Sequence, residues 1–143
     1  MKVKDIMSKE IASLRSEDSI EKAAQLMKGH NVGSIPVCSS EEQIIGIVTD
    51  RDIALRAVAT GGSGKGLTVG SIMTPNTITG NPEMNVHDAA RIMSEHQIRR
   101  LPIVENDSLV GMVSLGDISL ENTLANDAGE ALSNISQSDD NHL

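Results

Sequence analysis

The chain has 143 residues, of which 38% are hydrophobic and none is aromatic, and its formal net charge is −8. This length allows one compact body or two small halves that share a core. The negative charge argues against a broad nucleic-acid-binding face, which needs clustered Lys and Arg, and the lack of aromatic residues excludes stacking of bases on aromatic rings.

The N-terminus and the single cysteine narrow the class further. Met1–Ile6 is charged and has no apolar segment after it, and no stretch reaches 18 uninterrupted apolar residues. We therefore expect an unanchored cytoplasmic protein with no membrane contact. Cys38 has no partner for an intrachain disulfide, and its apolar neighbours predict a buried side chain.

Two copies of one sequence unit follow each other along the chain. The matching pairs, first copy before second, are Val3–Ser8 and Val69–Thr74, Ile35–Val37 and Leu101–Ile103, and Gly46–Ile53 and Gly111–Ile118.

Each copy predicts the same order of elements. Apolar residues at positions 20, 23, 24 and 27 have the spacing of an amphipathic helix, which begins after the N-cap Ser19 (Asn85 in the second copy) and ends near Gly29 or His30. The β-branched stretches 35–37 and 44–49 flank a polar turn and predict a hairpin. A second helix is expected at 52–59, and from Asp117 in the second copy.

We therefore predict a mixed α/β fold of tandem repeats, each a short opening strand, a helix, a β-hairpin and a helix. A single unit would leave one sheet face bare, so the repeats are expected to pack sheet to sheet with pseudo-two-fold symmetry. The predicted segments are 1–60 for the first repeat, 61–67 for a Gly-rich linker, 68–124 for the second repeat and 125–143 for an acidic C-terminal tail.

The linker and the tail carry no clear chemistry of their own. Gly61–Gly66 resembles a phosphate-binding loop only superficially, because Ala59 and Gly66 stand where that loop needs a glycine and a Ser or Thr. The tail contains no Lys or Arg, which predicts a loose helix and a solvated end. A partner-binding helix is the alternative.

The repeated phrase allows two interpretations. In each copy a hydroxyl residue is followed three positions later by a carboxylate, Thr49 by Asp52 and Ser114 by Asp117. This spacing is typical of a capping box that starts a helix. The same pair at a strand-to-helix junction could also bind a sugar or a phosphate. The duplication does not decide between them, because it copies a cap as faithfully as a site.

These features together resemble the CBS domain pair, or Bateman module, and in particular its small stand-alone bacterial members. The resemblance covers Met1 to about Leu120. It is carried by the openings Ile6-Met-Ser and Ile72-Met-Thr, the helices with Ala23-Ala24-x-x-Met27 and Ala89-Ala90-x-x-Met93, the proline-containing strands and the two phrases.

The resemblance implies two clefts between the repeats, each able to accept an adenosine-type ligand. It assigns the ribose contacts to Asp52 and Asp117, with Thr49 and Ser114 beside them. It assigns phosphate to the basic positions Arg99 and Arg100, and the walls around the base to the opening-strand residues Ser8, Ala12, Thr74 and Ile78 and the pre-strand residues Val32, Gly33 and Ile98.

The two implied sites differ in charge. Arg99 and Arg100 align with Gly33 and Ser34 of the first copy, so the site on Ser114 and Asp117 is expected to be the better anion site. Arg51, inside the first phrase, is a candidate replacement. The alternative is that Arg99 and Arg100 are solvated surface charges.

The function that the resemblance implies is regulatory. The sequence itself shows no nucleophile-base pair and no cluster of metal ligands, so an enzyme would have no residues to carry its chemistry. The methionines are expected to fill the core. The expected ligand is AMP, ADP or ATP, with S-adenosylmethionine or NADH as further candidates, and no cofactor is required. Occupancy would pass to an unidentified protein partner or to a homodimer interface. The alternative is a dimerisation scaffold with empty clefts and the acidic tail as its contact.

Overall fold

The computed structural model describes residues 1–61, 65–75, 78–120 and 125–141, with side chains except at 125–127 and 137–141. The linker centre at 62–64, on which the comparison with a phosphate loop rests, lies outside this part of the chain. Two compact units are present. We call Ala12–Thr77 with Asp107–Leu109 the first-repeat unit, and Met1–Ile11 with Ile78–Asn106 and Val110–Leu143 the second-repeat unit.

The first repeat contains a helix, a hairpin and a second helix, in the predicted order. They are α1 (Ile20–His30), β1 (Ser34–Cys38), β2 (Ile44–Thr49) and α2 (Asp50–Asp52), which continues as a π-helix over Ile53–Val58. β1 and β2 pair antiparallel, with Ser34 opposite Thr49.

The second repeat follows the same order and ends in an additional helix. Its elements are α3 (Val69–Ile72), β3 (Thr74–Pro75), α4 (Val86–His96), β4 (Arg100–Glu105), β5 (Ser108–Ser114), α5 (Leu115–Ser119) and α6 (Ala125–Asn141). β1, β2 and β3 form one sheet in that order, and β4 and β5 form a second. The predicted mixed α/β fold of tandem repeats is confirmed.

The helices α1 and α4 begin and end where the sequence predicts. Ser19 Oγ accepts the N–H of the third following residue at 3.0 Å, and Asn85 Oδ1 accepts that of the second at 2.8 Å. Each helix ends at a left-handed residue, Asn31 (φ 54°) after α1 and Gln97 (φ 56°) after α4. Such caps satisfy N–H and C=O groups that a helix end leaves open.

The buried face of α1 is narrower than predicted. Ile20, Ala23 and Met27 are buried, but Ala24 is exposed. Its counterpart Ala90 is buried in the second-repeat unit, where α6 packs against α4. The two helices therefore share the same apolar spacing, but the rest of the protein does not bury the same positions on each.

The opening segments are mainly helical turns and not strands. Val3–Asp5 is a 3-10 turn and α3 is a single turn of α-helix. Extended pairing follows in the two residues of β3 and at isolated bridges, which join Ser8 to Met112, Leu14 to Val37 and Gly80 to Ile103. In the described residues the predicted opening strand is therefore replaced by a helical turn followed by short extended contacts.

Each opening segment is built into the unit of the other repeat. Val3 N–H donates to Met84 O at 2.9 Å in the second-repeat unit. Val69 N–H donates to Asp18 O at 2.8 Å in the first-repeat unit. Each compact unit therefore combines the helix and hairpin of one repeat with the opening segment of the other.

Each unit has its own hydrophobic cluster. The first-repeat cluster contains Leu14, Ile35, Val37, Val48 and Val69, and the second-repeat cluster contains Val3, Val86, Leu101, Ile103, Val113 and Ile118. The methionines of the two long helices, Met27 and Met93, are buried members of these clusters, as predicted. Cys38 is also buried, and burial raises the pKa of its thiol.

The C-terminal segment is not a solvated tail. α6 packs against α4 and α5, and its residues Ala128, Ala131 and Ile135 are buried. Asn134 Nδ2 donates to Ser94 Oγ at 2.5 Å, which ties the middle of α6 to α4. The predicted helix is confirmed, while the predicted solvation is wrong for this face, because small apolar residues recur at helical spacing despite the acidic composition.

Asp18 secures the loop that receives α3. The Arg15 backbone N–H donates to Asp18 Oδ2 at 2.8 Å, and Lys22 Nζ lies 3.3 Å from Oδ1. The hydrogen bond from Arg15 and the nearby Lys22 lower the pKa of Asp18 from its ordinary value of 3.8. The carboxylate form is therefore favoured in the folded state.

Asp18→Asn is expected to reduce the free energy of unfolding by about 1 kcal/mol at neutral pH. Because the folded pKa is depressed, the stabilisation is complete above the unfolded pKa of 3.8 and is lost as pH falls through the folded pKa. Urea unfolding at stepped pH should therefore show wild type and variant converging in acid. Asp107→Asn, in an exposed turn at φ 65°, is the control. A difference that persists unchanged in acid would contradict the assigned role.

Candidate ligand-binding site

Both repeated phrases form complete capping boxes. Thr49 N–H donates to Asp52 Oδ2 at 3.0 Å, and Asp52 N–H donates to Thr49 Oγ1 at 3.0 Å. Ser114 N–H donates to Asp117 Oδ2 at 2.9 Å, and Asp117 N–H donates to Ser114 Oγ at 3.1 Å. The capping interpretation is confirmed for both copies. Each box uses only Oδ2 of its carboxylate, so the second oxygen is left for other contacts.

A fully buried residue at the end of each strand fixes the position of each box. β2 ends at Thr49 and β5 at Ser114, directly after the fully buried residues Val48 and Val113. Ile118, also fully buried, anchors α5 behind the second box. The polar ends of both strands are therefore held by apolar packing behind them.

A backbone hydrogen bond joins each box to the residue just before the first strand of its hairpin. Asp50 N–H donates to Gly33 O at 2.9 Å, and Leu115 N–H donates to Arg99 O at 3.0 Å. The backbone of Arg99 therefore lies directly beside the start of α5. This contact brings together Arg99 and Ser114, two residues of the predicted site that are 15 positions apart in the sequence.

The predicted site residues separate into two groups, one in each unit. The second-repeat unit contains Ser8, Ile78, Ile98, Arg99, Arg100, Ser114 and Asp117, and the first-repeat unit contains Ala12, Val32, Gly33, Thr49, Arg51, Asp52 and Thr74.

The structure groups two of the predicted site residues differently from the sequence. In the sequence Ser8 belongs with Ala12, and Thr74 with Ile78, but the structure places the members of each pair in different units. In the structure Ser8 N–H donates to Met112 O at 2.9 Å, two residues before Ser114. Thr74 pairs with Ile47 of β2, two residues before Thr49. Each opening residue therefore accompanies the box of the other copy.

The two carboxylates differ in exposure. Asp52 is 8% exposed, and among the described residues it is the one polar or charged residue that is buried. Asp117 and Ser114 are half-buried, as are Ile78, Ile98 and Arg100, while Arg99 and Arg51 are exposed. The second box is thus the more accessible one.

Two residues near the first box were missed by the sequence analysis. Arg56 Nε lies 3.7 Å from Asp52 Oδ1, the oxygen that the box leaves unused. Asp50 Oδ1 accepts the Arg51 N–H at 2.8 Å. The spacing of Asp52 and Arg56 is that of a helical ion pair and could have pointed to the first contact. Asp50 aligns with Leu115, a difference between copies that could have pointed to the second.

The second box offers the chemistry of a polyol and anion site. A carboxylate oxygen can accept hydroxyl protons, and a guanidinium is the preferred fork for phosphate oxygens. Among the described residues, no group of three or more His, Cys, Asp and Glu is placed to bind a metal ion. Within the same part of the chain, no helix is both long and apolar enough to span a bilayer.

The family follows from comparison with known sequences. A model of the CBS domain matches residues 3–58 and again 69–121. The chain therefore belongs to the CBS domain family, as the resemblance indicated. It is 47% identical over 135 residues to the CBS domain-containing protein YhcV of Bacillus subtilis, a match that covers 94% of each chain.

Solved structures of related CBS proteins contain adenosine compounds. The CBS domain pair of protein MJ0100, in complex with 5′-methylthioadenosine and S-adenosyl-L-methionine, matches with a TM-score of 0.75 and 35% identity, over 84% of this chain and 94% of that one. CBSX2 in complex with AMP matches with a TM-score of 0.71 and 25% identity, over 83% and 93%. CBS pairs with this fold thus bind adenosine-containing ligands.

Proposed function

We propose that the protein is a regulatory module that binds an adenosine-containing ligand of the AMP, ADP or ATP class at the Ser114/Asp117 box. The observation that carries this proposal is the contact of that box with Arg99, whose carbonyl accepts the Leu115 N–H at 3.0 Å. Asp117, which can accept ribose hydroxyl protons, and Arg99, which can bind phosphate, thus lie on adjoining segments in a chain of the CBS family.

The roles of the residues follow from their donors and acceptors. Asp117 Oδ1, outside the capping box, accepts the ribose hydroxyl protons. Ser114, whose Oγ already accepts the Asp117 N–H, can donate its hydroxyl proton to the ligand. Arg99 and Arg100 neutralise phosphate, and the apolar side chains Ile78 and Ile98 contact the base, because the chain has no aromatic residue to stack on it.

The net charge of −8 sets the expected strength of binding. A nucleotide approaches a protein of the same sign, so the local arginines act against the overall repulsion. We expect modest affinity that falls as salt is added, since exposed charges are screened beyond about 8 Å at physiological ionic strength.

Ligand occupancy would then reach a protein partner or a homodimer interface. α5, which starts at the box, packs against α6, so binding at Ser114 and Asp117 acts on an element that supports the C-terminal helix. The alternative of an empty scaffold with the acidic tail as its contact has less support, because Ala128, Ala131 and Ile135 are already buried within this unit.

A thermal-shift screen against AMP, ADP, ATP, S-adenosylmethionine and NADH tests the proposal. A ligand at 100 times its dissociation constant stabilises the folded state by about 2.7 kcal/mol, which raises the melting temperature by several degrees. Asp117→Asn keeps an acceptor for the Ser114 N–H but removes the charge, so it should lose the shift. Asp107→Asn, in an exposed turn, should keep it. The proposal fails if no ligand raises the melting temperature, or if Asp117→Asn responds like wild type.

A further inference from the structure

We infer, on the basis of the proposed function, that the Thr49/Asp52 box is closed to ligand by side chains of its own repeat, Asp50 and Arg56. Each chain then binds one nucleotide, at the Ser114/Asp117 box. The two boxes have the same hydrogen bonds but different surroundings, and the difference lies in residues that the copies do not share.

Arg56 forms an ion pair with the acceptor oxygen that a ribose would need. Asp52 Oδ2 accepts the Thr49 N–H at 3.0 Å, and Oδ1 faces Arg56 Nε at 3.7 Å. Arg56 Nη1 also donates to Ile72 O at 3.4 Å, so the guanidinium is held from two sides. The Asp52 side chain is only 10% exposed and its Oδ1 lies beside the Arg56 guanidinium, so a ribose hydroxyl at Oδ1 would compete with this ion pair.

Asp50 occupies the space beside Gly33. A Cβ atom built on Gly33 would lie 3.0 Å from Asp50 Oδ2 and 3.4 Å from its carboxyl carbon. The carboxylate therefore fills the position that a side chain at 33 would take, and Gly33 is the residue type that leaves room for it. Residue 33 is also one that the family resemblance assigns to the wall around the base.

The charge of Asp50 adds to its steric effect. Its Oδ1 already accepts the Arg51 N–H at 2.8 Å, a donor that could otherwise serve a phosphate oxygen. The negative carboxylate also offsets the positive charge of Arg51, which the sequence offered as the substitute for Arg99 and Arg100. A phosphate at this box would lie close to the Asp50 carboxylate, and two negative charges close together repel.

Among the residues that the structure describes, neither feature is found at the second box. Leu115 stands in place of Asp50, and Arg99 in place of Gly33. Its carboxylate Asp117 is followed four residues later in the sequence by Glu121, where the first copy has Arg56. A neutral residue and a cation therefore stand where the first copy has Asp50 and Gly33, and the sequence has no arginine four positions after Asp117.

Calorimetric titration of the full chain with AMP, and separately with ATP, tests the inference through its stoichiometry. Wild type should bind one equivalent per chain, and Asp117→Asn none. The double variant Asp50→Leu with Arg56→Gln gives the first box the neutral residue of the second copy and frees Asp52 Oδ1. It should gain a second equivalent, which Asp52→Asn in the same background should remove.

A control variant addresses the loss of a helical ion pair as such. Arg91→Gln removes an exposed pair away from both boxes, in which Arg91 Nη2 lies 2.7 Å from Asp88 Oδ1, and should leave the stoichiometry at one. Two equivalents in wild type, or no second equivalent in a folded double variant, would each overturn the inference while leaving the proposed function intact. One equivalent retained in Asp117→Asn, or no heat with either nucleotide in any variant, would overturn both.

Discussion

Ile135→Ala is expected to lower the free energy of unfolding by about 2–3 kcal/mol, because it removes a buried side chain from the contact of α6 with α4 and α5 and leaves a cavity. Ile135 is 3% exposed and lies two turns along α6 from Ala128, which belongs to the cluster of the second-repeat unit. Urea unfolding followed by circular dichroism measures the change, with the shift of the midpoint at constant slope giving the energy.

Leu132→Ala provides the control on the same helix. Leu132 is 45% exposed, so its truncation removes little buried area and should change the stability by less than about 0.5 kcal/mol. Both substitutions place the best helix former at their site, so intrinsic helix propensity cannot explain a difference between them. Equal effects would mean that α6 does not pack through this face in solution.

The same helix marks a limit of the sequence analysis. The acidic composition after Leu120 favoured a solvated tail, yet Ala128, Ala131 and Ile135 recur at the spacing of one helical face. Average composition and periodicity gave opposite indications here, and periodicity was correct. The reason is that a narrow buried stripe of small residues needs few apolar side chains, which an average over the segment conceals.

The repeat itself could be predicted because its signals are local. Caps such as Ser19 and Asn85, and the two boxes, depend on residues within one turn of the helix that they start. Which hairpin receives which opening segment could not be predicted. Met7 and Met73 are equivalent, as are Gly46 and Gly111, so pairing within a copy or across copies offers the same side-chain contacts.

The candidate site was predictable for the residues that the two copies share and not for those in which they differ. Alignment of the copies and the family resemblance drew attention to Asp52 and Asp117. The surroundings of Asp52 depend instead on Asp50 and Arg56, whose partners are known only once the helix start and the loop before β1 are placed in space. Equivalent motifs therefore do not imply equivalent sites.

Gly46→Ala is expected to lower the free energy of unfolding by about 2–3 kcal/mol, because the opening segment of the second repeat lies against this residue. A Cβ atom at Gly46 would lie 2.8 Å from the backbone oxygen of Thr74 and 2.7 Å from Met73 Sδ. A methionine can move, but the carbonyl belongs to β3, which pairs with β2 at this point. The substitution therefore has to displace β3.

Gly111→Ala and Gly129→Ala complete the series. At Gly111 the new Cβ would meet mainly Met7 Sδ, at 2.5 Å, while the nearest backbone oxygen, that of Ser8, is 3.2 Å away. Since the methionine is flexible, the cost should be smaller, about 1 kcal/mol. Gly129, exposed within α6, has nothing within 4 Å, so alanine there should stabilise the helix by about 0.5–1 kcal/mol. The urea midpoint should be lowest for Gly46→Ala, higher for Gly111→Ala and highest for Gly129→Ala. A Gly46→Ala protein as stable as wild type would mean that β3 does not lie against β2, and the assignment of the second opening segment to the first-repeat unit would then be lost.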